Sequence, residues 1–155
     1  MLATDGAFVE RERALLEALA ALMIPAGGGL PSAADAAIFA EILGALGQRA
    51  DVVRAGLDRL VELAAAAAAE GAQQPFPTLD AAAQMRLVEA LRAEVPGFVT
   101  LFESSVAACY YQDDRVLRSL DLPARAPFPE GNEVAPTDWS LLDPVRARQP
   151  FYRKV

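Results

Sequence analysis

An all-α fold, with five or six helices in a small bundle followed by an extended, proline-rich C-terminal arm, is what this sequence of 155 residues predicts. Three observations carry that reading. Apolar residues recur at intervals of three and four through the first 120 or so positions, in segments punctuated by Pro and Gly. No segment shows the two-residue alternation of a half-buried strand. Beyond residue 121 six prolines, at 123, 127, 129, 136, 144 and 150, forbid any long helix or central strand. The chain therefore reads as a helical domain over residues 1–121 and an arm over residues 122–155. With 54% hydrophobic residues it has material for one core, and at this length about 68–70% of the unfolded surface is buried without disulfides.

The first helix is expected to start at Thr4 or Asp5, either of which can cap it, and to stop before Pro25, with Phe8, Leu15, Leu19, Leu22 and Met23 as its apolar stripe. Residues 26–29, Ala-Gly-Gly-Gly, read as a flexible connection. They lack the preceding strand and the spacing of a phosphate-binding loop. Pro31-Ser32 with Asp35 resembles a capping box and opens a second helix running to about residue 46. A third helix is placed at residues 51–70, with Val53, Leu57, Leu60, Val61 and Ala64 on one face and Arg54, Asp58 and Glu62 on another. It ends in six consecutive alanines, whose small side chains suit a close helix–helix contact. Thr78 caps the fourth helix, striped by Met85, Val88, Leu91 and Val95. Pro96 ends it and opens a fifth, in which Phe98, Leu101, Phe102, Ser105 and Cys109 share a face up to about Tyr111. Asp113 caps a short sixth helix reaching Leu120.

Composition narrows function by exclusion. There is no histidine, which removes the commonest general base and metal ligand and the usual activator of a nucleophilic Ser or Cys. A net charge of −7 opposes binding to nucleic-acid phosphates or to an anionic membrane. No uncharged apolar run approaches the ~20 residues that span a bilayer. Arg11 and Arg13 are not a twin-arginine pair, and acidic residues interrupt the first apolar run. The sequence as it stands therefore reads as cytoplasmic, or as periplasmic if an export signal has been removed or a partner carries one. Asp113-Asp114 is the best pair of carboxylates for acid/base or cation chemistry, but adjacent acids at a helix start more often serve the helix dipole. Cys109, on an apolar stripe, reads as a small buried hydrophobe. No catalytic, cofactor or metal site is assigned to this chain.

The arm is of a different character from a solvated tail. Phe128, Trp139, Leu141, Leu142, Val145, Phe151 and Tyr152 are flanked by Arg146, Arg148 and Arg153, a mixture of aromatic and Arg residues enriched at interface hot spots. These residues, with Tyr110 and Tyr111 at the end of the fifth helix, are the candidate partner-binding set. Two fates are open to the arm, docking on its own helices and docking on another subunit, and one arm can do both. The last twelve residues carry four positive charges and no negative one, and so address either an internal partner or an acidic groove.

Four stretches, in this order, resemble the gluconate 2-dehydrogenase subunit 3 family, the small subunits that accompany flavin-dependent GMC-type sugar and alcohol dehydrogenases. They are Arg13-Ala-Leu-Leu-Glu-Ala-Leu-Ala-Ala-Leu-Met-Ile-Pro25; Pro75-Phe76 with Thr78-Leu79 and Gln84; Pro96 to Asp113 with Phe98, Phe102, Tyr110 and Tyr111; and Trp139-Ser-Leu-Leu-Asp-Pro-Val-Arg-Ala-Arg148 with Phe151-Tyr152-Arg153. Where typical members carry a Gly-Asn-rich turn and a Gly-Trp segment, this chain has Asp113-Asp114-Arg115-Val116-Leu117. Nor does it show the twin-arginine signal that many members carry. The first departure suggests a divergent branch with a different partner, and the second removes the basis for expecting the family's export role. The resemblance implies a non-catalytic subunit that binds a large flavoprotein, supports its folding, stability or cofactor retention, and leaves the FAD in that partner, with room for a cytochrome subunit in the wider complex. Two other classes stand beside it: a self-associating helical structural protein, and a small-ligand-binding helical domain.

Overall fold

The structure, a computed structural model, describes residues 7–68, 74–124, 131 and 136–149. The chain divides into two units, Met1–Ala124 and Arg125–Val155. The first is helical throughout its described residues, as the apolar periodicity predicts. Among these residues the only bridge of β type is an isolated one between Gly27 and Leu30.

Helix α1 spans Glu10–Met23, and the proposed caps Thr4 and Asp5 lie outside the described residues. The Glu12 carboxylate accepts from the Val9 backbone N–H at 2.9 Å, and Glu10 and Glu12 set negative charge in the first turn, where the helix dipole favours it. Arg54 of helix α3, Ala50–Ala67, ties this start down. Its guanidinium pairs with Glu12 at 3.1 Å, donates to the Ala7 carbonyl and lies 5.9 Å above the Phe8 ring.

The glycine segment after α1 is not the flexible connection expected of it. Gly28 and Gly29 adopt φ of 59° and 83°, and the backbones of Gly27 and Leu30 bond each other in both directions at 3.2 and 2.9 Å. Two successive positive φ angles make this a tight turn that glycine alone enters without strain. Ser32 does not cap the next helix. Its hydroxyl donates to the Ile24 carbonyl at 3.0 Å and accepts from Ala34 N–H at 3.1 Å, fastening the loop to the end of α1. Asp35 is the cap of α2, Ala36–Gly47, accepting from Ala37 N–H at 3.1 Å.

A single 3-10 turn, Phe76–Thr78, precedes α4. Thr78 directs its hydroxyl to the Pro75 carbonyl at 2.8 Å, so the capping role falls to Asp80, which accepts from Ala83 N–H at 2.8 Å and starts α4 at Ala81–Glu94. Gln84 reaches back to the Phe76 carbonyl at 3.0 Å. Pro96 opens α5, Pro96–Tyr110, and Asp113 caps α6, Asp114–Ser119, both as the sequence predicts.

Helix α5 packs on α2, α3 and α4 and so runs through the middle of the unit. Its buried face is Phe98, Val99, Phe102, Val106 and Tyr110; Leu101 and Cys109 are only partly buried beside it. The expected stripe is thus rotated by about one residue, because three neighbours, not one, define the buried arc. A similar displacement occurs in α4, where Leu87 and Leu91 are buried and Met85 is exposed; of the stripe expected for the first helix, Phe8, Leu15 and Leu19 are buried, Leu16 and Ala20 widen the buried arc, and Met23 is exposed. The described end of the alanine run does not make the close helix–helix contact expected of it, since Ala65, Ala66 and Ala67 are exposed. A close approach is made instead by Gly56 on α3, against the Phe98 ring.

In the second unit the structure departs from a purely extended arm. A 3-10 turn, Trp139–Leu142, runs into a short helix α7, Asp143–Arg146. Asp138 starts it by accepting from Ser140 N–H at 3.0 Å and from the Ser140 hydroxyl at 2.6 Å. Pro144 falls in the first turn of α7, where a missing N–H costs no hydrogen bond.

Candidate partner-binding surface

The tyrosine pair separates into two roles. Tyr110 is buried and its hydroxyl donates to the Pro31 carbonyl at 3.0 Å; burial pushes the phenol pKa up. A side chain held in this way offers no surface, so Tyr110 leaves the candidate partner-binding set. Tyr111 is exposed and stands edge-on to Tyr110, with ring centroids 5.4 Å apart.

The acidic pair serves local structure. Asp113 accepts from Arg115 N–H and from its guanidinium, and the same guanidinium reaches Asp35, the cap of α2, at 2.7 Å. One arginine therefore joins the N-caps of two helices. Asp114 pairs with Arg118 at 2.8 Å, one turn on. Among the described residues no three His, Cys, Asp or Glu side chains come together as a metal site. The Arg115 guanidinium, through its hydrogen bonds, holds the carboxyls of Asp35 and Asp113 below the usual carboxylate range. A depressed folded-state pKa adds stability that is complete above the ordinary value near 3.8 and disappears as pH falls below it, through the folded-state values. Denaturant midpoints of the Arg115→Gln variant should accordingly lie below those of the parent at pH 7 and converge on them as the pH is lowered beneath that value.

Cys109 is half-buried, and burial, followed by the nearby Glu41, raises its thiol pKa. A raised pKa keeps the thiol protonated at neutral pH, the opposite of what a nucleophilic cysteine requires.

The described part of the arm exposes nearly everything that a folded chain ordinarily covers. Trp139 is 64% and Leu141 74% exposed, and Leu142 and Val145 are exposed as well. Arg146 makes an i,i+3 pair with Asp143 at 3.3 Å, and Arg148 is exposed. Phe128, Phe151, Tyr152 and Arg153 lie outside the described residues.

Two surface depressions of the helical unit were not anticipated. Between α1, α4 and α5 an apolar groove of about 200 Å³ is lined by Leu22, Met23, Met85, Val88 and Phe102, with Arg92 and Glu103 paired across its rim through two hydrogen bonds. Between α1, α3 and the 3-10 turn a trough of about 430 Å³ runs over Ala14, Val61, Ala64, Ala65 and Phe76 beside Arg11. The trough exists because the alanine side chains are too short to fill it. Met at the edge of an apolar stripe was the available sequence signal for the groove, since flexible Met suits adaptable contact surfaces. No helix among the described residues is long and apolar enough to cross a membrane. No protein-family model matches this chain, and neither a curated protein nor a solved structure matches it.

Proposed function

We infer that this chain is a non-catalytic, partner-binding subunit, and that the segment at 139–148 is its principal contact. The observation that carries this reading is the cluster of exposed Trp139, Leu141, Leu142 and Val145 on a segment that nevertheless has its own cap and helical hydrogen bonds. Leaving large apolar side chains in water forgoes about 1.5–3 kcal/mol for each that could be buried, so a shaped apolar segment signals a surface that covers it. Helix-in-groove recognition supplies such a surface.

The partner follows from the order of the four sequence stretches. It is an FAD-dependent GMC-type sugar or alcohol oxidoreductase, whose folding, stability or cofactor retention this subunit supports. The flavin chemistry belongs to that partner, and a cytochrome subunit is compatible with the wider complex. The proposal is supported by the use of Asp113, Asp114 and Tyr110 in structural bonds, which leaves Tyr110 and the acidic pair committed to the fold.

Co-expression with a GMC-type flavoprotein from the same organism tests it. A yellow complex that co-elutes on size exclusion, with a flavin-poor or insoluble large subunit when this chain is omitted, is the expected result. A flavoprotein that is fully loaded and active alone and never associates with this chain would sink the reading.

A further inference from the structure

The arm divides along its length into an apolar part and a basic part, and that division specifies the surface it meets. Trp139, Leu142 and Val145 recur every third residue through the 3-10 turn and α7, a spacing that lines side chains along one side. The two acids of the segment are already engaged, Asp138 with Ser140 and Asp143 with Arg146. Arg148 has no ion-pair partner among the described residues, and the sequence from residue 144 to the end holds Arg146, Arg148, Arg153 and Lys154 without an acid. In sequence, an acidic chain thus follows this apolar side with cations and no acid, and Arg148 is the one of them that stands unpaired among the described residues.

The geometry points to a partner surface built as an apolar cleft that receives Trp139, Leu142 and Val145 and is bordered at one end by carboxylates that face Arg148. This rests on the partner-subunit reading above and adds the chemistry and polarity of the receiving site. Trp and Arg together are the residue types that dominate interface energetics, the former by filling a pocket, the latter by pairing with carboxylates. The two parts act on different quantities. Burial of Trp139 slows dissociation, while cations outside the apolar part accelerate encounter with an oppositely charged rim and make it sensitive to salt. A second copy of the chain is disfavoured as the occupant, since each copy carries −7.

Trp139 is the sole tryptophan of the chain, so 5-fluorotryptophan incorporation gives one fluorine resonance that reports on this side chain alone. The full-length chain, so labelled, is titrated with the co-purified flavoprotein at low salt and at about 300 mM salt, where screening reaches within several ångströms. The free chain should show a solvent-exposed resonance that shifts and loses its water–deuterium-oxide sensitivity on complex formation. Arg148→Glu should weaken binding by about tenfold or more and flatten its salt dependence, acting chiefly on the association rate. Trp139→Ala should weaken binding by about a hundredfold through dissociation and retain the salt dependence. The milder Arg146→Gln/Arg148→Gln pair keeps the test valid if charge reversal disturbs α7. Binding that is unaffected by salt and by both arginine variants overturns the inference and leaves the partner-subunit reading standing. A shielded fluorine resonance in the free chain, or wild-type binding to anionic vesicles in place of the flavoprotein, overturns it as well. Failure of the wild-type chain to bind any flavoprotein removes both.

Discussion

Gly56→Ala is expected to lower the thermal midpoint of the chain by roughly 4–8 °C, although alanine is the better helix former. A Cβ built at Gly56 would stand 2.2 Å from Cγ and 2.4 and 2.6 Å from the two Cδ atoms of Phe98. Such distances require a ring to move, and Phe98 has little room to do so. It is 4% exposed and sits 6.1 Å, centroid to centroid, from Phe102 in the middle of the core. Overpacking of this kind costs about 1–3 kcal/mol or more, whereas the helix propensity returned by Gly→Ala is about 1 kcal/mol, so the clash decides the sign. Circular dichroism melts of the single variant measure the loss. If the clash is the cause, Gly56→Ala combined with Phe98→Leu should recover part of it, since the shorter side chain vacates the space that the new methyl group needs.

Phe76→Ala is the second large effect, with an expected loss of about 3–5 kcal/mol, a substantial share of the ~5–15 kcal/mol that stabilises a domain. Phe76 is 2% exposed, and the 3-10 turn that carries it packs on α1. Removing the ring deletes the floor of the trough beside Ala64 and Ala65 and leaves α4 attached through Gln84 to a backbone that no longer has an anchor. Urea denaturation of the variant beside Phe76→Leu checks the mechanism. The leucine variant should lose less than about 1.5 kcal/mol, because it retains most of the buried volume.

What the sequence made legible was the signal carried by single residues acting locally. Pro96 at the first turn of α5, Asp113 before α6 and Pro25 after α1 each act within one helical turn, and each was read correctly. Capping failed where two candidates stood close together. Ser32 and Thr78 were both passed over for the acids that follow them, because each hydroxyl found an earlier backbone carbonyl, that of Ile24 at the end of α1 for Ser32 and that of Pro75 for Thr78. The buried arcs of α4 and α5 were displaced because periodicity shows that a stripe exists without showing how many neighbours will cover it. Phe76, between two prolines, has no periodic context at all, and its burial depends on α1, which is distant in sequence. Which ring of the Tyr110-Tyr111 pair belongs to the core was hidden for a similar reason, and it is Tyr110 that is buried. Its place in the core is sealed by a carbonyl 79 positions earlier.

That distant bond has a consequence for how the chain comes into being. Tyr110 closes on Pro31, and Arg115 closes on Asp35, across sequence separations of 79 and 80 residues. Both join the far end of the helical unit to the connection between its first two helices. A nascent chain emerging from a ribosome therefore holds α1 and α2 without their latch until α5 and the start of α6 have cleared the exit tunnel. At synthesis rates of about 5–20 residues per second the early helices wait several seconds for that event, with their apolar faces open to chaperones or to one another. The exposed segment at 139–148 is synthesised only afterwards, so its apolar side chains emerge at a time when the latching contacts of the helical unit can already form.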